Sequence, residues 1–168
     1  MNGRRIKIEL IIEKILQNFD KYIIYSDATI YINNNNLLYF LDYLEHYKKY
    51  DLVFPNNNIK NDKFNHLYNI GFILIKCNKN TLNFFEKVKH ELNLNKDWDQ
   101  NVINNLLLYN NILNIGCFDN KIYCGYDFNN KYKNDFFIFK SFIRHTNDIN
   151  NNLNQRLFIL KKNDFNIY

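Results

Sequence analysis

Three short apolar runs limit what this chain can fold into: YIIY at 22–25, DLVF at 51–54 and GFILIK at 71–76. None alternates apolar with polar residues, as a strand with one wet face would. Unbroken runs of this length belong to strands covered on both sides, so further layers must lie above and below the sheet. The intervening segments supply them. Residues 4–18 predict a helix, with Ile8, Ile11, Ile12, Ile15, Leu16 and, just beyond, Phe19 at helical spacing. Residues 36–47, 79–92 and 98–109 predict three more helices. Shorter strands are expected at 112–116, 121–128 and 136–145, and a closing helix at 151–162. Pro55, the only proline, ends the second strand and opens the polar loop NNNIKNDKFN. Helices alternating with buried strands predict an α/β sandwich whose central sheet is largely parallel or mixed. With no internal repeat and no Pro/Gly/Ser linker, residues 1–168 read as a single domain.

Composition narrows the function classes. A chain that is 46% hydrophobic and 17% aromatic can build a core and is not disordered. No apolar run approaches the roughly 18 residues of a membrane span. The opening MNGRRIKIELIIEKI mixes charges into its apolar residues, unlike a secretory leader, so an intracellular, cytoplasmic protein is expected. Cys77, Cys117 and Cys124 are odd in number and lack C-x-x-C spacing, and they read as reduced core residues. The net charge of +5 is spread along the chain, which suits weak attraction of an anionic ligand. No basic cluster exceeds two or three residues, so nucleic acid is not an expected partner. The Asn, Ile, Lys, Tyr and Phe excess is read as codon bias of an AT-rich genome.

One acid stands out. In KYIIYSDATIYI, Asp27 follows the first apolar run and is flanked by Ser26 and Thr29, in a chain with Ser or Thr at only five positions. In an open α/β sheet, ligands bind at the carboxyl ends of strands, where Asp27 would project. An uncompensated carboxylate there costs several kcal/mol unless it is hydrogen-bonded or metal-bound. Two readings carry equal weight on pattern alone: a turn or helix cap, or a ligand-facing group.

The wider order of motifs bears on that choice. SDATIYI, then NIGFILIKCN, then WDQNVIN and finally FIRHT follow one another along the chain. This order resembles the nucleotide-diphospho-sugar transferases, glycosyltransferases of the Rossmann-like GT-A fold, over about residues 6–160. Their corresponding features are a D-x-D strand end, an N-x-G-F strand, a D-Q helix start and a late histidine. The resemblance implies transfer of a sugar from a UDP- or GDP-sugar donor to a hydroxyl acceptor, with Mn²⁺ or Mg²⁺ bridging the departing diphosphate. By similarity Asp27 and His145 would be metal ligands. Asp99 would contact the donor sugar, and Gln100 would lie near the reacting carbon without having to be a nucleophile. Lys7 would face the donor, Asn69 would hydrogen-bond sugar hydroxyls, and Gly71 would let the ligand approach the backbone. Each has a plainer reading. Lys7 can be a solvated helix lysine, Asn69 a turn residue and Asp99 a helix N-cap. Gly125 and Asp127 in YCGYDF would be a turn and an acceptor contact. His46, His66 and His90 lack ligand spacing.

Two departures from the family pattern matter. Thr29 stands where the second carboxylate of D-x-D is expected; a hydroxyl there would bind the donor or cation more weakly. A single helix precedes Tyr22, whereas the family places a base-binding β-α-β unit there. The expected alternatives are a truncated or reduced member of the family, a relic, or a chain whose base pocket is supplied by a partner or a second copy. A non-catalytic GT-A-like domain kept for sugar binding or assembly is the alternative.

Overall fold

The computed structural model describes residues 3–27, 30–32, 42, 44–55, 67–95, 97–118, 123–124 and 138–140. Helix α1 spans Gly3–Gln17, followed by strands β1 (Tyr22–Ser26), β2 (Ile30–Ile32), β3 (Leu52–Pro55) and β4 (Phe72–Lys76). Helices α2 (Lys79–Leu94) and α3 (Asp99–Leu108) come next, then β5 (Ile115–Phe118), β6 (Tyr123–Cys124) and β7 (Ile138–Lys140). Most of the expected helix at 36–47 lies outside the described residues, although Asp42, Leu44 and Glu45 take helical geometry. The closing helix at 151–162, the loop after Pro55, Thr29, Gly125, Asp127, His66 and His145 also lie outside them. Among the described residues no helix is long and apolar enough to cross a membrane.

Four strands form one sheet in the order β1-β4-β3-β5. Within it β4 runs antiparallel to both β1 and β3, while β3 and β5 pair in parallel. The sheet is thus the mixed form of the expected architecture. The apolar runs could not decide between the two forms, because they report burial on two faces and not strand direction. A smaller sheet joins β2, β7 and β6.

Both faces of the large sheet are covered at β3 and β4, which is why those strands read as unbroken apolar runs. Strand β1, at the edge of the sheet, departs from the expected two-sided burial, with no fully buried residue and Ile24 38% exposed. Leu52, Phe54, Ile73 and Ile75 face one way, into a core with Ile8, Ile11, Ile12 and Ile15 of α1 and Phe84, Phe85, Val88 and Leu92 of α2. Val53, Phe72, Leu74 and Phe118 face the other way and pack with Tyr47, Leu44 and Tyr50. Adjacent residues in a strand point to opposite faces, so one run feeds two cores.

The end of the sheet where β3 begins is tied by polar side chains. Asp51 Oδ1 accepts from Asn78 Nδ2 (2.7 Å) and Oδ2 from the Asn114 backbone N–H (2.9 Å). Asn78 and Thr81 form a reciprocal capping box at the start of α2, and the buried Thr81 hydroxyl donates to the Lys76 carbonyl (2.6 Å). This satisfies helix N–H groups that would otherwise lack partners.

Gly116 of β5 lies under the Tyr50 ring, where an added Cβ would come within 2.6 Å of Tyr50 Cδ2. Gly116→Ala must push that ring out of the core. It is expected to cost about 1–3 kcal/mol, read as a lower midpoint in urea unfolding.

Candidate active site

The site is organised around residues 68–71, the irregular stretch that leads into β4. A buried stretch outside regular structure must find partners for every backbone polar group. Here the four N–H groups are met in four ways. Tyr68 donates to Asn104 Oδ1 (2.9 Å), Asn69 to the Pro55 carbonyl (3.0 Å), Ile70 to Gln100 Oε1 (3.4 Å) and Gly71 to Asn69 Oδ1 (2.9 Å). Three carbonyls are met as well. Tyr68 O accepts from Asn104 Nδ2 (3.0 Å), Ile70 O from Lys7 Nζ (3.0 Å) and Gly71 O from the Asp27 backbone N–H (2.8 Å).

Lys7 reaches this stretch from α1. Its side chain is only 10% exposed, and its ammonium lies 3.5 Å from Asp27 Oδ1 and 3.5 Å from Asp99 Oδ2. The two carboxylate oxygens can therefore be no farther apart than twice that distance. The ammonium also sits over the Tyr25 ring, 4.7 Å from its centroid, a cation–π arrangement. Tyr25 donates its hydroxyl to Asp27 Oδ1 (2.6 Å). Burial, that hydrogen bond and the charges of Asp27 and Asp99 push the Tyr25 phenol above its ordinary value of 10, so it stays a donor at neutral pH.

Each acid owes its place to a different element. Asp27 follows the last residue of β1, at the strand end that the sequence favours. Asp99 opens α3, whose N-cap Trp98 makes no side-chain capping bond, and its Oδ1 accepts from the Gln100 N–H (3.0 Å). A carboxylate in the first helical turn is favoured by the helix dipole. In the same turn Asn101 donates to Asp97 Oδ1 (2.8 Å), while Asn101 Oδ1 is a buried acceptor with no partner among the described residues.

Lys7, Asp27, Asn69, Gly71, Asp99 and Gln100 thus come together, as a single cluster, around 68–71. Lys7 is not a solvated helix lysine. Asn69 is buried and closes the turn onto Gly71, which is its plainer reading. Thr29 and His145 lie outside the described residues, and so does the expected meeting of Asp27 with His145. Two contributors escape a sequence reading, Tyr25 and Asn104. The signal for Asn104 was present: an amide one turn after Gln100, among Val102, Ile103 and Leu107 on a buried helix face.

The sequence profile of the nucleotide-diphospho-sugar transferases matches residues 6–160. The chain belongs to that family. Among solved structures, this transferase-family chain is similar to a glycosyltransferase involved in glycosylation of the major capsid of PBCV-1. The TM-score is 0.66 at 11% identity, over 96% of this chain and 78% of that one. The galactosyltransferase LgtC, solved with donor and acceptor sugar analogs, aligns with TM-score 0.48 and 10% identity, over 91% of this chain and 66% of that one. None of the curated proteins matches the chain. The family and the GT-A fold class expected from the sequence are both borne out.

Among the described residues no three His, Cys, Asp or Glu side chains are grouped to hold a metal ion. Asp27 offers one carboxylate, and both Tyr25 and Lys7 contact its Oδ1. A cation at Asp27 would thus draw its remaining ligands from elsewhere, with phosphate oxygens of a bound nucleotide the natural source.

Proposed function

We propose that this chain transfers a sugar from a UDP- or GDP-sugar to a hydroxyl acceptor, with Mn²⁺ or Mg²⁺ entering alongside the donor diphosphate. The supporting observation is the Lys7 ammonium between Asp27 and Asp99, three charged groups brought together from α1, the end of β1 and the start of α3. In this reading Asp27, aided by Thr29 and His145, would hold the cation, which would supply Lewis-acid stabilisation of the departing charge. Asp99 presents its carboxylate to donor sugar hydroxyls, and Gln100 holds the backbone at Ile70 beside the reacting carbon. Asn69 and Gly71 shape the floor on which the sugar rests.

The test is donor hydrolysis with Mn²⁺ across a panel of UDP- and GDP-sugars, comparing wild type with Asp27→Ala. Turnover is expected to fall at least about tenfold in the variant, the lower end of what loss of a metal-site group costs. Turnover untouched by that substitution defeats the site. The second reading is a non-catalytic GT-A-like domain for sugar binding or assembly, and the observation favouring it is Thr29 in place of the second carboxylate. It predicts saturable donor binding by calorimetry with no turnover for any donor.

A further inference from the structure

We propose that Lys7 is a resident cation of this site, which holds Asp27 and Asp99 together without donor and keeps a divalent ion from taking Asp27 alone. The inference deepens the reading of Asp27 as a cation ligand and rests on it. Two carboxylates held this close repel one another unless a positive charge lies between them. The Lys7 ammonium supplies that charge, at equal distance from both acids. Its place is fixed from two further sides, by the Ile70 carbonyl at 3.0 Å and by the Tyr25 ring. Little water reaches it to screen its charge.

Electrostatics then set the order of events. The two acids and the ammonium together carry one net negative charge; without Lys7 the same site carries two. A divalent ion approaching Asp27 meets the ammonium at a few ångströms, where repulsion is strong even at a protein-like dielectric. A nucleotide diphosphate changes this, because its oxygens offer the ammonium another anionic partner. Lys7 would then pair with the diphosphate and leave the Asp27 carboxylate available to a cation. Divalent binding is thus coupled to donor binding through one lysine. The coupling is reciprocal, as any linkage between two ligands must be.

The experiment measures Mn²⁺ binding by electron paramagnetic resonance, first without nucleotide and then with UDP. The proteins are wild type, Lys7→Gln, Lys7→Met and Asp27→Asn, together with Lys7→Gln combined with Asp27→Asn. Gln keeps a donor for the Ile70 carbonyl. Met keeps the length and packing on Tyr25, so a foldable neutral variant is available if one of the two fails. Without nucleotide, the neutral variants are expected to bind Mn²⁺ about tenfold more tightly than wild type. UDP is expected to tighten Mn²⁺ binding more in wild type than in those variants. In the double variant the gain should disappear. Equal Mn²⁺ affinity in wild type and the neutral variants, with Asp27→Asn weakening both, overturns the role of Lys7 and leaves Asp27 a ligand. Mn²⁺ binding unaffected by Asp27→Asn overturns the reading of the site itself.

Discussion

Asn104→Leu is expected to lower the free energy of unfolding by about 2–5 kcal/mol, because two backbone groups of Tyr68 are left without partners. Asn104 is 6% exposed, and its amide accepts from the Tyr68 N–H while donating to the Tyr68 carbonyl. Leucine keeps the branched shape of the side chain, so the main loss is one of hydrogen bonds. Water cannot easily replace them in a buried position. The effect should extend to the site, since Asn69, Ile70 and Gly71 follow Tyr68 and carry the contacts to Lys7, Gln100 and Asp27. Urea unfolding followed by circular dichroism measures the first effect, and donor affinity by calorimetry measures the second. A variant as stable as wild type would show that the stretch 68–71 does not depend on this amide.

Phe85→Ala is expected to cost about 3–5 kcal/mol, the usual range for emptying a fully buried aromatic position. Phe85 has no exposed surface and belongs to the core shared by α1, α2 and one face of the sheet. Its ring also meets Phe84 edge-on, with centroids 5.4 Å apart. The loss should appear as a fall in melting temperature of roughly 6–20 °C for a chain of this size. Phe85→Leu keeps most of the buried volume and should recover most of the difference. A fall of only a degree or two would place Phe85 in a region that collapses around the lost ring.

The candidate site was legible in part. Asp27 could be suspected because it follows an apolar run, and Asp99 because it opens a helix with an acid in the first turn. The order of four weak motifs pointed to the family that the profile match shows. What each residue touches was not legible. Gln100 and Asn69 were singled out for a ligand, yet both also hold the backbone of 68–71. Lys7 read more readily as a solvated helix residue until the fold placed its ammonium 3.5 Å from each of two acids. Tyr25 drew no notice because an aromatic residue in an apolar strand is ordinary, and only its neighbour Asp27 gives its hydroxyl a task.

The sequence by itself located α1, β1, β3, β4, α2 and α3, since apolar runs and helical amphipathicity leave local traces, but it did not mark β2 as a strand. It also determined that Pro55 closes β3, because proline has no N–H to extend a ladder. The tertiary structure alone decided that β4 lies antiparallel between β1 and β3, because strand direction leaves no trace in a run of apolar residues. It alone decided the charge arrangement too. Lys7 and Ile70 are 63 residues apart, and so are Asn114 and Asp51. Such pairs depend on the packed core to bring them together, because hydrogen bonds and ion pairs act over a few ångströms while the chain between them is long.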